Sequence, residues 1–404
     1  MRREGHTACA WSRRGPWTAY YLCALLCALV AVAAFVAVPR RAAATTSVTA
    51  LAAPVPHAPS AIIIDRVTGR VLYGRGIHTR RPMASTTKIM TALLALEHFP
   101  DLSTHIVAPQ RVTVESGIGL RPGEHITVRQ ALLALMLRSA QDAGVTLAFA
   151  VSGSEEGFVS RMNAKARALG LRDTHYTNAC GNVTDPAHFS SVYDLARLSR
   201  RAMHDARFRD IVGRQHAVVK WGNGRQVAVK SNNLLLHWDW ADGVKPGYTF
   251  HARFCLVGSG QPGLRPFITV TLAAPDRQQD ARDHVALYLW ASKLYEQRTL
   301  LTAGQVVASV PLAGGGEVQV AARATLTAVM RKAARAGRTL TLPARFAERP
   351  EDGAVVGGAA FRADGVSLGR VDLVVVPEAP PSPPAPAPPA AASPEAASPA
   401  AAPE

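Results

Sequence analysis

The sequence predicts an α+β protein, with helices packed on a mainly antiparallel sheet and a small all-β domain behind it. Three observations lead there. A strand–turn–strand unit near residue 61 runs straight into helical periodicity, helical patterns fill the middle of the chain, and strands return late, from Val244 to Ala273. Helices and strands that segregate along the chain, rather than alternate, build an antiparallel sheet with helices against it. Beyond Leu301 short alternating runs such as Glu317-Val318-Gln319-Val320 and Val371 to Val376 are separated by Gly-rich turns, the texture of a small β domain.

Each element has its own cause. Ala61-Ile62-Ile63-Ile64-Asp65 is β-branched and apolar, Arg66 to Gly69 is a turn, and Arg70 to Tyr73 is a second strand, so the unit is a hairpin. From Thr86 onward Ile89, Leu93 and Leu96, with Met90 and Leu94, recur at helical spacing, which puts Ser85 at the start of a core-packed helix. Val128 to Val151 is helical, closing one helix and opening the next around Arg138-Ser139-Ala140-Gln141, and Glu155 to Leu169 is a further helix. Ser191-Val192-Tyr193-Asp194 reads as a capping box opening another. Asp242 to Thr249 starts the late strands, and Cys255 lies in the apolar strand Arg253 to Val257 as a small buried hydrophobe.

The ends differ from the middle. Arg2, Arg3, Arg13 and Arg14 precede an uncharged run from Trp17 to Val38 that closes on Pro39-Arg40-Arg41. Residues 1–41 are therefore expected to be a signal peptide or an N-terminal membrane anchor, with the basic flank inside and the rest exported. Residues 42–59 read as a linker, and 377–404, almost all Pro, Ala and Ser, as an extended tail that buries no core.

Composition excludes some functions. The net charge of +16 comes from scattered arginines with no groove-reading motif, so nucleic acid is not the expected partner. The histidines and cysteines lack metal-ligand spacing, so neither a metal nor a cofactor is expected. His188 reads as a structural loop residue. Cys180 and Cys255 are permitted to pair in an exported protein, but nothing in the sequence requires it.

One motif carries chemistry. In Ser85-Thr86-Thr87-Lys88 a hydroxyl and an amine sit three apart at a helix start, on one face, where the amine can reach the hydroxyl and the helix N-terminus favours the developing alkoxide. Only seven lysines occur among 45 basic side chains, and only Lys88 has a serine three positions before it. A lysine can lose its proton at a working pH and an arginine cannot.

Two later stretches, Leu135 to Ala143 with Ser139 and Gln141, and Asp242 to Thr249 with Lys245-Pro246-Gly247, follow Ser85 in order. With them the chain resembles the penicillin-recognising serine enzymes that carry Ser-x-x-Lys, Ser-x-Asn and Lys-Thr-Gly motifs. Among these it looks like the low-molecular-weight penicillin-binding proteins that are D-alanyl-D-alanine carboxypeptidases. The likeness spans about Ala61 to Tyr295 and includes Leu120-Arg121-Pro122-Gly123-Glu124, Tyr176 to Asn182, His188 to Ser191 with Asp194-Leu195-Ala196, and Ser231 to Leu235.

The resemblance implies a penicillin-binding transpeptidase-like catalytic domain at 60–300 and a β-rich domain at 301–376. It implies that Ser85 attacks a terminal D-Ala-D-Ala peptide of a peptidoglycan stem, that Lys88 is the base with its pKa lowered by Lys245 and by burial, and that Ser139 relays protons. The N–H groups of Ser85 and Tyr248 would form the oxyanion hole. Lys245, Gln141, Gly247 and Tyr248 would contact substrate, and an arginine, Arg282 in preference to Arg277, would hold its carboxylate. β-Lactams would be covalent inhibitors, and the membrane would be met through the N-terminal segment, at the outer face of the cytoplasmic membrane or in the periplasm.

Two positions depart from the pattern: Gln141 stands for an asparagine, and Pro246 for a hydroxyl residue. On an open sheet edge a proline is tolerated and costs recognition rather than folding. The departures leave two alternatives open, an impaired homologue that binds or scaffolds peptidoglycan, and a peptidoglycan DD-endopeptidase.

Overall fold

The computed structural model describes residues 52–377 except 111, 113–115, 182–184 and 223. The expected signal or anchor segment, most of the linker before residue 52 and nearly all of the Pro/Ala tail lie outside the described residues.

The described chain begins with β1 (Ser60–Asp65) and β2 (Val71–Arg75), the expected hairpin. A 3₁₀ turn, Ala84–Thr87, then leads into α1 (Lys88–His98). After the small ribbon β3 (His105–Val107) and β4 (His125–Thr127) come α2 (Val128–Leu133), a π-helical turn Ala134–Arg138, α3 (Gln141–Ser152) and α4 (Glu155–Ala168). Then follow α5 (Val192–Ala202), α6 (Ala206–Val212) and the hairpin β5 (His216–Trp221) and β6 (Arg225–Lys230). Three strands, β7 (Ala241–Thr249), β8 (Arg253–Gly260) and β9 (Phe267–Ala274), precede α7 (Arg277–Ser292).

The main sheet runs β2-β1-β9-β8-β7, antiparallel throughout, so β7 is an edge strand. Strand alternation divides its side chains between two cores. Ile62, Ile64, Val257, Val270 and Leu272 join the large core with α1 to α6, while Ile63, Leu256 and Phe267 join Leu287 and Tyr288 of α7 on the other face. Ile62 and Ile63 are wholly buried, each worth about 1.5–3 kcal/mol. An apolar β1 with no polar face is what a strand covered on both sides requires.

Ser191 caps α5 by accepting from the Asp194 N–H, as expected. The Asp194 carboxylate does not complete the box; it accepts instead from the Asp173 N–H and the Thr174 hydroxyl, tying the preceding loop to the helix.

The last seven strands are β10 (Tyr295–Leu301), β11 (Val306–Pro311), β12 (Glu317–Ala322), β13 (Leu326–Arg331), β14 (Gly337–Thr341), β15 (Val355–Ala363) and β16 (Val366–Val375). They form a five-stranded sheet, β11-β12-β16-β15-β14, and a β10–β13 pair. β10 starts before Leu301, and Tyr295 packs into the α7 core while the rest of the strand pairs with β13.

Candidate active site

The nucleophile position is built by a tight local network. Ala84, just before Ser85, has φ +48°, a left-handed conformation that costs a non-glycine residue about 1–3 kcal/mol unless its surroundings hold it. They do. The Ala84 carbonyl accepts from the Thr87 hydroxyl at 2.8 Å, which in turn meets His188 Nε2 at 2.8 Å. His188 Nδ1 accepts from the Thr177 N–H at 3.0 Å, so the proton sits on Nε2. Burial lowers its pKa to about 4, and the ring stays neutral. His188 is structural, as the sequence suggested, and what it supports is the turn carrying Ser85.

Lys88, wholly buried, opens α1 with its Nζ 3.0 Å from Ser85 Oγ and donates to the Cys180 carbonyl at 2.6 Å. That carbonyl is aimed by Asn178, whose Oδ1 accepts from the N–H groups of Cys180 and Gly181. Burial pulls the Lys88 amine below the usual lysine range. Lys245, on β7, is buried too and donates to its own Pro246 carbonyl at 3.1 Å; burial first, and the Lys88 charge second, take its pKa well down. The expected cation repulsion thus acts on Lys245, and desolvation is the main cause at Lys88.

These groups share one cleft of about 490 Å³, lined among others by Ser85, Ser139, Gln141, Lys245, Pro246, Gly247 and Tyr248. Ser139 follows the π turn with φ +65°. Its Oγ is buried without a hydrogen-bond partner among the described residues, so the bridge to both lysines expected of it is not formed here. Gln141 is held at the cleft by its N–H, which donates to the Ser116 carbonyl at 3.0 Å. Pro246 stands on the edge strand, where no second ladder is lost. Gly247 passes so close to the nucleophile turn that a β-carbon there would meet Ser85 N at 2.8 Å.

Of the two arginines, Arg277 lines the cleft and donates to the Asn232 carbonyl at 2.7 Å. Arg282, the preferred one, is exposed, pairs with the Gln279 side-chain oxygen and does not line the cleft. The cause is helical phase: α7 begins at Arg277, and residues 277, 280 and 281 face the cleft, leaving 282 outside. Cys180 and Cys255 are both buried free thiols, each bonded to a nearby carbonyl.

Three contributors were not found by sequence reasoning. The Cys180 carbonyl could not be, since a backbone oxygen has no sequence signature. Asp142, buried at the start of α3, accepts through Oδ2 from the consecutive N–H groups of Ile118, Gly119 and Leu120 and so holds the loop carrying Ser116 against the cleft. An aspartate in a first helical turn was its only signal. Asp280, also buried, lines the cleft beside Arg277.

A serine beside a buried lysine, with a second buried lysine across the same cleft, defines a serine acyl-transfer enzyme of the Ser-x-x-Lys class. The profile of the family described as D-alanyl-D-alanine carboxypeptidase matches residues 47–276, and the chain belongs to that family, as a serine-type carboxypeptidase of penicillin-binding fold. It is similar to the Bacillus subtilis D-alanyl-D-alanine carboxypeptidase DacF, 33% identical over 266 residues, covering 64% of this chain and 68% of that one. A Mycobacterium tuberculosis relative, D-alanyl-D-alanine carboxypeptidase DacB2, is 36% identical over 220 residues, 53% of this chain and 75% of its own. The crystal structure of a Streptomyces DD-transpeptidase superposes with a TM-score of 0.57 at 29% identity, covering 60% of this chain and all of that one.

Proposed function

We propose that the protein removes the terminal D-alanine from peptidoglycan stem peptides through an acyl-enzyme on Ser85. The observation that carries this reading is the 3.0 Å approach of the buried Lys88 amine to Ser85 Oγ. An amine whose pKa burial lowers takes the hydroxyl proton as Ser85 attacks the carbonyl of the penultimate D-alanine. The N–H groups of Ser85 and Tyr248 receive the oxyanion. The C–N bond breaks, the leaving amine collects its proton through Lys88 and Ser139, and D-alanine departs. Water then attacks the ester and frees Ser85.

Lys245 and Arg277 are the cations available to the substrate carboxylate, and Gln141 the amide available to its backbone. β-Lactams acylate Ser85 by the same attack. The reaction belongs outside the cytoplasmic membrane, where the basic flank and apolar run of residues 1–41 would deliver the chain, cleaved or retained as an anchor.

Intact mass after incubation with benzylpenicillin, with peptide mapping, tests the nucleophile; assay of free D-alanine tests the reaction. An adduct on Ser85 together with released D-alanine is expected. An adduct with cleaved cross-links and no D-alanine overturns the substrate in favour of endopeptidase action, and folded protein with neither leaves a peptidoglycan-binding role.

A further inference from the structure

Arg138 has no part in the mechanism above, yet it is exposed and lines the cleft one residue before Ser139. It ends the π turn Ala134–Arg138, where the chain leaves helical conformation at Ser139. Its guanidinium is aimed by the loop that also holds Gln141. Arg138 Nε donates to the Gly117 carbonyl at 3.2 Å, and the Gln141 N–H donates to the neighbouring Ser116 carbonyl at 3.0 Å. Asp142 fixes that loop in turn, through the N–H groups of Ile118, Gly119 and Leu120. Arg138 and Gln141 therefore hang from one pinned stretch, whereas Lys245 stands on β7 and Arg277 on α7. Where Gln141 meets the substrate backbone and the other two cations its leaving carboxylate, Arg138 faces the acyl half.

A guanidinium has five N–H donors, and only one is engaged here. Arg138 makes no other hydrogen bond and no ion pair among the described residues. Of the described side chains lining the cleft only Asp280, buried beside Arg277, is acidic. A planar fork of unused donors, with no counter-charge and with its stem held in place, fits a carboxylate in two-pronged fashion.

We propose that Arg138 determines specificity on the acyl side of the scissile bond. It selects stem peptides in which the residue before the two D-alanines carries a free side-chain carboxylate over those in which that group is a neutral carboxamide. The inference rests on the acyl-enzyme reading above and names the substrate class of that same site. Because Arg138 is exposed, the preference is modest and salt weakens it.

The test compares kcat/KM of the full chain for N-acetyl-L-Glu-D-Ala-D-Ala and N-acetyl-L-Gln-D-Ala-D-Ala, at about 0.01 M and about 1 M salt. The wild type is expected to favour the Glu peptide about fivefold at low salt and less than about twofold at high salt. Salt also weakens the grip on the leaving carboxylate, but both peptides share that group, so it cancels in the ratio. Arg138→Gln should bring the low-salt ratio to about one, with the loss falling on the Glu peptide, while Arg138→Lys, which keeps the charge but not the fork, should keep part of the preference. A wild-type ratio near one at low salt overturns the inference without any variant. So does an Arg138→Gln that slows both peptides alike, since that is what a merely structural arginine would do. In either case both peptides are cut and the acyl-enzyme reading stands. If neither peptide is cut, that reading fails and this one with it.

Discussion

Gly247 and Ser85 touch through their backbones: a β-carbon at 247 would lie 2.8 Å from the Ser85 nitrogen and 3.1 Å from the Thr86 nitrogen. Gly247→Ala must push β7 away from the nucleophile turn by several tenths of an ångström. The expected result is a folded protein whose penicillin acylation rate drops about a hundredfold, the usual cost of displacing a positioned donor or nucleophile. Stopped-flow acylation measures the rate, and thermal unfolding checks the fold.

Lys88→Arg keeps the charge and the hydrogen bonds but not the removable proton. Acylation of Ser85 should fall by about three orders of magnitude or more, and Lys88→Ala should do no worse. In the wild type the acidic limb of kcat/KM is expected well below the ordinary lysine range, because burial lowers the Lys88 pKa.

Arg277→Ala and Arg282→Ala separate a cleft residue from a surface one. The first should lower kcat/KM for a free-carboxylate peptide about ten- to a hundredfold, the value of one charge-assisted hydrogen bond, chiefly through KM. The second should change it less than about twofold, since Arg282 is exposed and engaged with Gln279.

Pro246→Thr adds a hydroxyl on the edge strand where nothing in the ladder is lost. Turnover of a D-Ala-D-Ala peptide should rise by about one order of magnitude, with stability within about 0.5 kcal/mol of wild type. An unchanged rate would sink the view that the missing hydroxyl limits this enzyme.

Stability should fall in acid. His188 and His284 are held neutral by burial, with pKa values lowered to about 4 and about 3, so between pH 6.5 and those values the unfolded chain binds more protons. Each contributes stability that is full above pH 6.5 and lost as the pH descends; for His188 that is about 3 kcal/mol. Asp280 has the opposite sign: its pKa is raised to about 7, so its burial costs stability that grows as the pH rises from about 4 to about 7 and is full above, and acidification relieves it. Denaturant midpoints measured from about pH 8 to about 4 should therefore decline overall, and the stability of Asp280→Asn relative to wild type should grow from about pH 4 to about 7 and stay constant above.

What the sequence determined by itself was everything set by local spacing or by strong apolar pattern. The three-residue interval brought Lys88 to Ser85 because one helical turn does so in any context. The run Ala61 to Asp65 fixed a fully buried strand, and the late apolar strands made the sheet legible. The order of Ser85, Ser139 and Lys245 pointed to one cleft, and the structure gathers all three there. Tertiary structure alone decided the rest. Which arginine enters the cleft turned on where α7 begins, a matter of helical phase no wider than one residue. The Cys180 carbonyl and the loop N–H groups held by Asp142 are backbone groups, identical at every position until the fold aims them. In the sequence the Asp280 carboxyl is one charge among several at a polar helix start. Only the packing of α7 on the sheet face of Ile63, Leu256 and Phe267 put it in the cleft, because that packing is chosen by contacts between residues far apart in the chain.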